Sequence, residues 1–135
     1  MSADARYSLS VRVYWEDTDA SGIVYYANYL RFLERARTEW LRVKGYDQNE
    51  LARRHGVVFV VRSVALDFLR PARLDDALSV TVEITRRGSA SVDLDQRIER
   101  EGEALVAGNV KLACVRIGAF QPARIPRELY AAIIG

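Results

Sequence analysis

The chain contains one long amphipathic stretch, and this stretch limits the folds that it can adopt. From 25 to 44, apolar residues recur at steps of three and four, the period of a helix with one buried face. The residues expected on that face are Tyr26, Tyr29, Leu33, Ala36, Trp40 and Val43. Gly45 follows as the expected C-terminal cap. A helix of about 25–30 Å needs a broad apolar partner, and a β-sheet is the obvious one.

Five segments of alternating apolar and polar residues predict the strands of that sheet. They are expected at 7–15, 57–69, 78–86, 90–100 and 105–117, with Val58, Val60, Val64, Leu66 and Phe68 on one face of the second. Short loops join the last strands, and short loops require antiparallel pairing. Short helices are expected at 50–55, ended by Gly56, and at 127–133. The prediction is an α+β fold in one domain, residues 1–135, with a five-stranded antiparallel sheet wrapped around one long helix.

Composition argues against several classes of function. The formal net charge is +2 and the basic residues are scattered, which does not favour nucleic-acid binding. No apolar run is long enough for a signal peptide or a membrane span. The single cysteine, Cys114, leaves no internal disulfide, so a cytoplasmic protein is expected. Cys114 and the one histidine, His55, cannot build a zinc site, and both are expected to be structural. A G-x-S-x-G nucleophile motif does not occur in the sequence.

An acidic segment, Glu16-Asp17-Thr18-Asp19-Ala20-Ser21-Gly22, joins the first strand to the long helix. The helix start carries a partial positive charge that favours developing negative charge, and a carboxylate beside it can hydrolyse a polarised carbonyl. From the residues alone, Asp19 is either that carboxylate or a residue that closes the loop or caps the helix. Asp17 and Thr18 are expected to shape the loop. Repulsion from Asp17 is expected to raise the pKa of Asp19.

The stretch E-D-T-D-A-S-G-I-V-Y-Y-A-N-Y-L-R-F-L-E-R-A-R-T-E-W-L, residues 16–41, resembles the signature of the hotdog-fold acyl-CoA thioesterases. Within them it is most similar to the Tol-Pal-associated (YbgC-type) group, related to 4-hydroxybenzoyl-CoA thioesterase. The resemblance continues through 59–62, 71–76 and 96–98. It implies a hotdog fold and hydrolysis of an acyl-CoA to a carboxylic acid and free CoA. Coenzyme A would be part of the substrate, and no separate cofactor or metal is expected.

The resemblance also implies roles for residues around the acidic segment. Asp19 aligns with the catalytic carboxylate of the family, as nucleophile or general base. The backbone amide of Tyr26 aligns with the donor to the thioester oxygen, and Gly22, Ile23 and Val24 form the approach to it. Members of that group often carry histidine where this chain has Tyr26, so the chain departs from the group's pattern at this position.

Four further residues have both a functional and a structural interpretation. In the aromatic-acyl relatives, an acidic residue near the position of Glu34 contacts a substrate hydroxyl. Glu34 has either this role or that of an ordinary helix carboxylate. Arg86 and Arg87 either bind the phosphates of coenzyme A, as basic residues near this hairpin do in relatives, or form a polar turn. Arg62, in an apolar strand, is expected to meet either a carboxylate or the pantetheine region.

The function expected is hydrolysis of a short-chain aliphatic or aromatic acyl-CoA. The alternative is a module of the same fold that binds acyl-CoA or an acyl-carrier protein without hydrolysis. A hydratase on this fold is disfavoured, because His55 is poorly placed for its chemistry. The predicted sheet is apolar on both faces, so self-association is expected, and the resemblance implies homodimers that often pair into homotetramers.

Overall fold

The computed structural model describes residues 6–134 of the chain, and side chains up to residue 133. The strands form one sheet in the order β1-β3-β4-β5-β2, with every neighbouring pair antiparallel. This confirms the predicted α+β architecture. In chain order, the elements are β1 (Arg6–Arg12), a 3₁₀ turn (Trp15–Asp17), α1 (Asn28–Val43), α2 (Gln48–His55), β2 (Val57–Phe68), β3 (Ala77–Arg87), β4 (Ser91–Arg100), β5 (Glu103–Arg116) and α3 (Arg127–Ile134).

Helix α1 packs its apolar face on the sheet and forms the centre of the core. Its buried apolar residues are Tyr29, Phe32, Leu33, Ala36, Trp40 and Leu41. The prediction was wrong for Tyr26 and Val43, which are 63% and 64% exposed. Tyr26 precedes the first helical residue and Val43 is the last one, so neither lies on the buried stripe. Gly45, with φ +94°, ends the helix as predicted.

A β-bulge in β2 changes which side chains face α1. Register with β5 shifts between Val61 and Ser63, so Arg62 is the extra residue. Each side chain beyond the bulge therefore points to the opposite face from the one that strict alternation would give. The predicted single face was wrong for this reason. The residues that share the α1 side are Val57, Phe59 and Val61 before the bulge, and Val64, Leu66 and Phe68 after it.

Strand β1 is shorter than predicted. It ends at Arg12, and the chain turns so that Trp15 lies in the 3₁₀ turn with 82% of its surface exposed. The other strand bounds match the prediction to within two residues. Helix α2 begins two residues earlier than expected, because the Asp47 carboxylate accepts a hydrogen bond from the Glu50 amide at 2.7 Å and caps it.

The remaining core groups come from the sheet and the C-terminal segment. Leu129 and Ile133 of α3 are buried in the same apolar cluster as α1. Cys114 is fully buried there, and burial raises the pKa of its thiol to about 11, as expected of a core residue.

Over residues 6–134, none of the helices combines the length and the apolar character needed to cross a bilayer.

Candidate active site

A buried carboxylate holds the loop between β1 and α1 in place. Asp17 is 5% exposed. Its Oδ2 accepts a hydrogen bond from the Tyr14 amide, and its Oδ1 accepts one from Nδ2 of Asn28, both at 2.8 Å. Because Asn28 is the first residue of α1, these bonds fix the loop relative to the start of the helix. The prediction that Asp17 shapes the loop is confirmed.

The second half of the loop is docked on the segment before β3. The Val24 amide donates to the carbonyl oxygen of Ala72 at 2.8 Å, and Ile23 forms an antiparallel bridge with Arg73. The Ala72 amide in turn donates to Oη of Tyr29 at 3.0 Å, which links this segment to α1. The tip of the loop therefore projects from a base that is fixed on both sides.

Asp19 lies at this tip with its carboxylate exposed to solvent. Its Oδ1 accepts hydrogen bonds from the Ser21 amide at 2.8 Å and the Ser21 hydroxyl at 2.9 Å. These bonds lower the pKa of Asp19, with the Ser21 hydroxyl as the largest cause and the Ser21 amide next. The expectation that Asp17 raises the pKa of Asp19 was wrong, because hydrogen bonds to the ionised form dominate. Asp19 is therefore a carboxylate at neutral pH.

The same loop ends in a backbone amide that is free to donate. The turn of residues 25–27 leads into α1, with the Asn28 amide bonded to the carbonyl oxygen of Tyr25 at 2.8 Å. Within residues 6–134, the Tyr26 amide has no acceptor at hydrogen-bond distance. Amides at a helix start carry partial positive charge and point away from the helix. The ring of Tyr26 is mostly exposed and meets Phe68 edge-on, with centroids 6.2 Å apart.

Three other predicted site residues lie in or next to this loop. Gly22 adopts φ +82° at its tip, and Ile23 is half-buried beside it. Val24 is 3% exposed, so its side chain packs in the core and only its backbone is near the loop surface. Glu34 is exposed on α1 and lines a groove between the helix and the edge of the sheet.

The predicted basic residues lie elsewhere in the chain. Arg62 lines a groove on the opposite face of the sheet, beside Phe120 and Pro122. In the described part of the chain, no ion pair includes Arg62. Arg86 and Arg87 are exposed at the far end of β3, which begins beside the Asp19 loop. Since each residue of a strand advances about 3.3 Å, that end is roughly 30 Å away. One chain therefore does not bring Arg86 and Arg87 to its own Asp19.

The structure also reveals residues that the sequence reasoning missed. Arg124 and Arg127 join Arg87 around a cavity of about 440 Å³ beside α3. They precede or open a short helix, and no periodic pattern in the sequence links that helix to the β3–β4 hairpin. No contact of Ser21 was predicted from the sequence. The spacing Asp-x-Ser is nevertheless typical of an aspartate side chain that bonds the amide two residues on, as Asp19 does here.

Comparison with known families matches residues 13–133 to the model of the thioesterase-like superfamily. The chain belongs to this superfamily. It is 43% identical to the acyl-CoA thioesterase YbgC of Haemophilus influenzae over 96% of this chain and 95% of the relative. It is 31% identical to the 1,4-dihydroxy-2-naphthoyl-CoA hydrolase of Thermosynechococcus vestitus, over 88% and 82% of the two chains.

The fold agrees with that membership. The crystal structure of a probable thioesterase from Bartonella henselae superposes with a TM-score of 0.85 and is 37% identical. The match covers 90% of this chain and all of the other. The sheet around one long helix is thus the hotdog arrangement of these thioesterases, as the resemblance implied.

The contrast between the two aspartates predicts different effects on stability. Asp17→Ala leaves the Tyr14 amide and the Asn28 side chain without their buried acceptor, so we expect a loss of about 1.5–3 kcal/mol in the free energy of unfolding. Asp19→Ala removes an exposed side chain, so we expect a change within about 0.5 kcal/mol. Urea unfolding of both variants measures these values. Equal losses would contradict the assignment of Asp17 as the residue that holds the loop.

Proposed function

We propose that this protein hydrolyses acyl-CoA thioesters, with Asp19 and the backbone amide of Tyr26 as its catalytic groups. The observation that carries the proposal is the placement of an ionised, exposed carboxylate and an unbonded amide on one loop at the start of α1. The carboxylate can act on the thioester carbon, while the amide can bind the carbonyl oxygen as negative charge develops on it. Gly22, Ile23 and Val24 provide the backbone between the two groups.

Asp19 can act in either of two ways. As a nucleophile, it adds to the carbonyl carbon, the C–S bond breaks, CoA leaves as the thiolate, and water hydrolyses the resulting anhydride. As a general base, it takes a proton from water while the water oxygen attacks the same carbon. The C–S bond then breaks, CoA leaves as the thiolate, and Asp19 gives up the proton and is ionised again. Both routes need Asp19 to be ionised, as its lowered pKa ensures at neutral pH. Neither route passes through the phenol of Tyr26, so the replacement of histidine at that position leaves the amide's function intact.

The acyl group is proposed to be short-chain aliphatic or aromatic. An aromatic acyl group is the substrate named for the naphthoyl-CoA hydrolase among the relatives, and the exposed rings of Tyr25, Tyr26 and Phe68 form a cluster just before the start of α1 here. The substrate supplies coenzyme A, and no further cofactor is proposed. An acyl-carrier protein is proposed as a second donor of the acyl group. Non-hydrolytic binding is not favoured, because the relatives are named as thioesterases and hydrolases.

We propose that the enzyme works as a homodimer or homotetramer in the cytoplasm. Strand β2 is an edge strand of 12 residues. It exposes Val61, Val64 and Phe68, each between 40% and 52%. An unpaired apolar edge of this length is a template for pairing, and a second copy of the chain would cover it. A second subunit would also solve the separation between Asp19 and the arginines, since the CoA bound at one loop could reach another chain's hairpin.

The phosphates of coenzyme A are then proposed to bind at Arg86 and Arg87. The support is the cavity beside α3, where Arg87 meets Arg124 and Arg127. Among the ion pairs of the described residues, none involves these three arginines. Three unpaired guanidinium groups around one cavity repel each other, and a phosphate would relieve that repulsion. Arg62, in its groove on the outer sheet face, is proposed to contact the pantetheine arm.

The role of Asp19 predicts a large kinetic effect of a small substitution. Asp19→Asn keeps an oxygen that can accept from Ser21 but removes the nucleophile or base, so kcat/KM should fall by about 10²–10⁴-fold. Thiol release from a panel of acyl-CoA substrates measures the effect, and the melting temperature checks the fold. Glu16→Gln, an exposed carboxylate on the same segment, is the matched control and should stay within about twofold. A folded Asp19→Asn variant with full turnover would overturn the assignment.

The proposed phosphate contact predicts that an arginine substitution weakens binding only of substrates that carry the nucleotide of coenzyme A. Arg87→Ala should raise KM for an acyl-CoA by about tenfold or more, because it removes a charge-assisted hydrogen bond. The N-acetylcysteamine thioester of the same acyl group lacks the nucleotide, so its kinetics should not change. Arg53→Ala, on the exposed side of α2, is the control. Equal effects on both substrates would show that Arg87 does not act through the phosphates.

A further inference from the structure

Ser21 holds one oxygen of the Asp19 carboxylate with two donors. Oδ1 of Asp19 accepts a hydrogen bond from the Ser21 amide at 2.8 Å and another from the Ser21 hydroxyl at 2.9 Å. Within residues 6–134, Oδ2 of Asp19 accepts no hydrogen bond. The two oxygens of this carboxylate therefore differ, because the protein binds one of them and leaves the other open.

The backbone on both sides of this carboxylate is fixed as well. The Asp19 amide donates to the carbonyl oxygen of Ile23 at 2.9 Å, and the Asp19 carbonyl oxygen accepts from the Gly22 amide at 3.1 Å. Next to them, Thr18 forms an antiparallel bridge with Val24. These contacts make a small hairpin with Asp19 at the first position of its turn. The freedom that remains to this side chain is rotation about its own bonds.

The two bonds from Ser21 restrict that rotation. Both donors meet the same oxygen, so turning the carboxylate about its Cβ–Cγ bond would break both bonds. Any residue except proline would supply the amide donor at position 21, whereas the second donor requires the hydroxyl of serine or threonine. The Ser21 hydroxyl is therefore the group that adds orientation to what the turn already provides.

Hydrogen bonds from Ser21, rather than a neighbouring charge, set the ionisation of this carboxyl. The pKa of Asp19 is lowered by the Ser21 hydroxyl, next by the Ser21 amide, and less by the Ile23 amide. None of the described charged side chains is among the causes. The titratable and charged residues of the loop and the adjoining segments are Glu16, Asp17, Tyr25, Tyr26, Tyr29 of α1, Arg73 and Asp76 before β3, and Arg100 of β4.

We propose that Ser21 is a positioning residue that holds Oδ1 of Asp19 and thereby leaves Oδ2 as the oxygen that reacts. The proposal rests on the proposed function, because it takes Asp19 as the catalytic carboxylate. As nucleophile or as general base, Asp19 uses one oxygen, and the rate depends on where that oxygen lies relative to the thioester carbon or the attacking water. A bound substrate would exclude water from the loop and so strengthen both bonds from Ser21.

The Ser21 hydroxyl has two effects on the rate, and they have opposite signs. It orients Asp19, which raises the rate, and it stabilises the ionised form, which makes the carboxylate a weaker base and nucleophile. A misplacement of about 1 Å can cost on the order of 10²-fold in rate, whereas a small change in basicity costs less. Orientation is therefore expected to dominate at neutral pH.

The test compares single variants in the thiol-release assay. Ser21→Ala keeps the amide donor and removes the hydroxyl, so kcat should fall by about 3- to 30-fold while KM stays within about twofold. Ser21→Thr keeps the hydroxyl and should restore kcat to within about threefold of the wild type. Ser10→Ala, at an exposed serine of β1, is the matched control and should change neither constant. Because these side chains are exposed, melting temperatures should change by less than about 3 °C.

A double variant separates positioning through Asp19 from a direct role of Ser21. In the Asp19→Asn background, Ser21→Ala should lower the residual rate by less than about twofold, because the reactive carboxylate is no longer there to be positioned.

The pH profile gives a readout that a merely structural role would not move. Loss of the hydroxyl removes a bond to the ionised form and so raises the pKa of Asp19 in Ser21→Ala. Its carboxylate is then protonated at higher pH, and the acid limb of kcat/KM should shift upward. The ratio of wild-type to Ser21→Ala activity should therefore grow as the pH falls from about 7 toward about 4.

The outcomes distinguish this inference from the proposed function. If Asp19→Asn loses its turnover while Ser21→Ala keeps the wild-type kcat, this inference fails and the proposed function stands. A higher kcat in Ser21→Ala also overturns it, since basicity would then outweigh orientation. A loss that persists in the Asp19→Asn background would show that Ser21 acts on the substrate and not through Asp19. Full turnover by Asp19→Asn would instead remove the proposed function on which this inference rests.

Discussion

The candidate active site depends on the two hydrogen bonds accepted by the buried carboxylate of Asp17. One comes from the backbone at Tyr14, before the loop, and the other from Asn28, the first residue of α1. Because this carboxylate is buried away from water, each of its two hydrogen bonds is stronger than it would be at the surface. The loop tip can therefore expose Asp19 while its base stays fixed. Neighbouring aspartates in one sequence motif thus have separate tasks, one structural and one proposed to be chemical.

A second physical constraint acts at the other side of α1. The bulge in β2 moves one residue out of register, and as a result Val61 and Val64 both point at the helix. Without it, the alternation would put a polar or small residue at one of these positions and leave no continuous apolar wall. The groove between α1 and the edge of the sheet therefore depends on this distortion. Arg62, the bulged residue, keeps the outward direction that it shares with Val60.

Much of the fold follows from periodicity in the sequence. Alternation placed the strands to within a few residues, and the helical period identified α1 and most of its buried face. The bulge at Arg62 could not be predicted, because the run around it is apolar on both faces and carries no glycine or proline to mark the irregularity. The predicted start of α1, at residue 25, was three residues too early for a related reason. Tyr25 and Tyr26 fit the apolar period, whereas the turn that excludes them is set by tertiary bonds to Asp17 and Ala72.

The site was partly predictable for different reasons. Asp19 and the Tyr26 amide came from one contiguous motif, and the structure leaves both accessible on the same loop. The cavity shared by Arg87 and the C-terminal arginines, by contrast, appears only when the packing of α3 beside the β3–β4 hairpin is known.

The most direct test of this account is a crystal structure of the Asp19→Asn variant with an intact acyl-CoA bound. The thioester carbon is expected about 3–3.5 Å from the side-chain oxygen at position 19. The carbonyl oxygen is expected within about 3.1 Å of the Tyr26 amide nitrogen. A thioester bound elsewhere, for example in the outer groove beside Arg62, would contradict the central claim that this loop performs the chemistry.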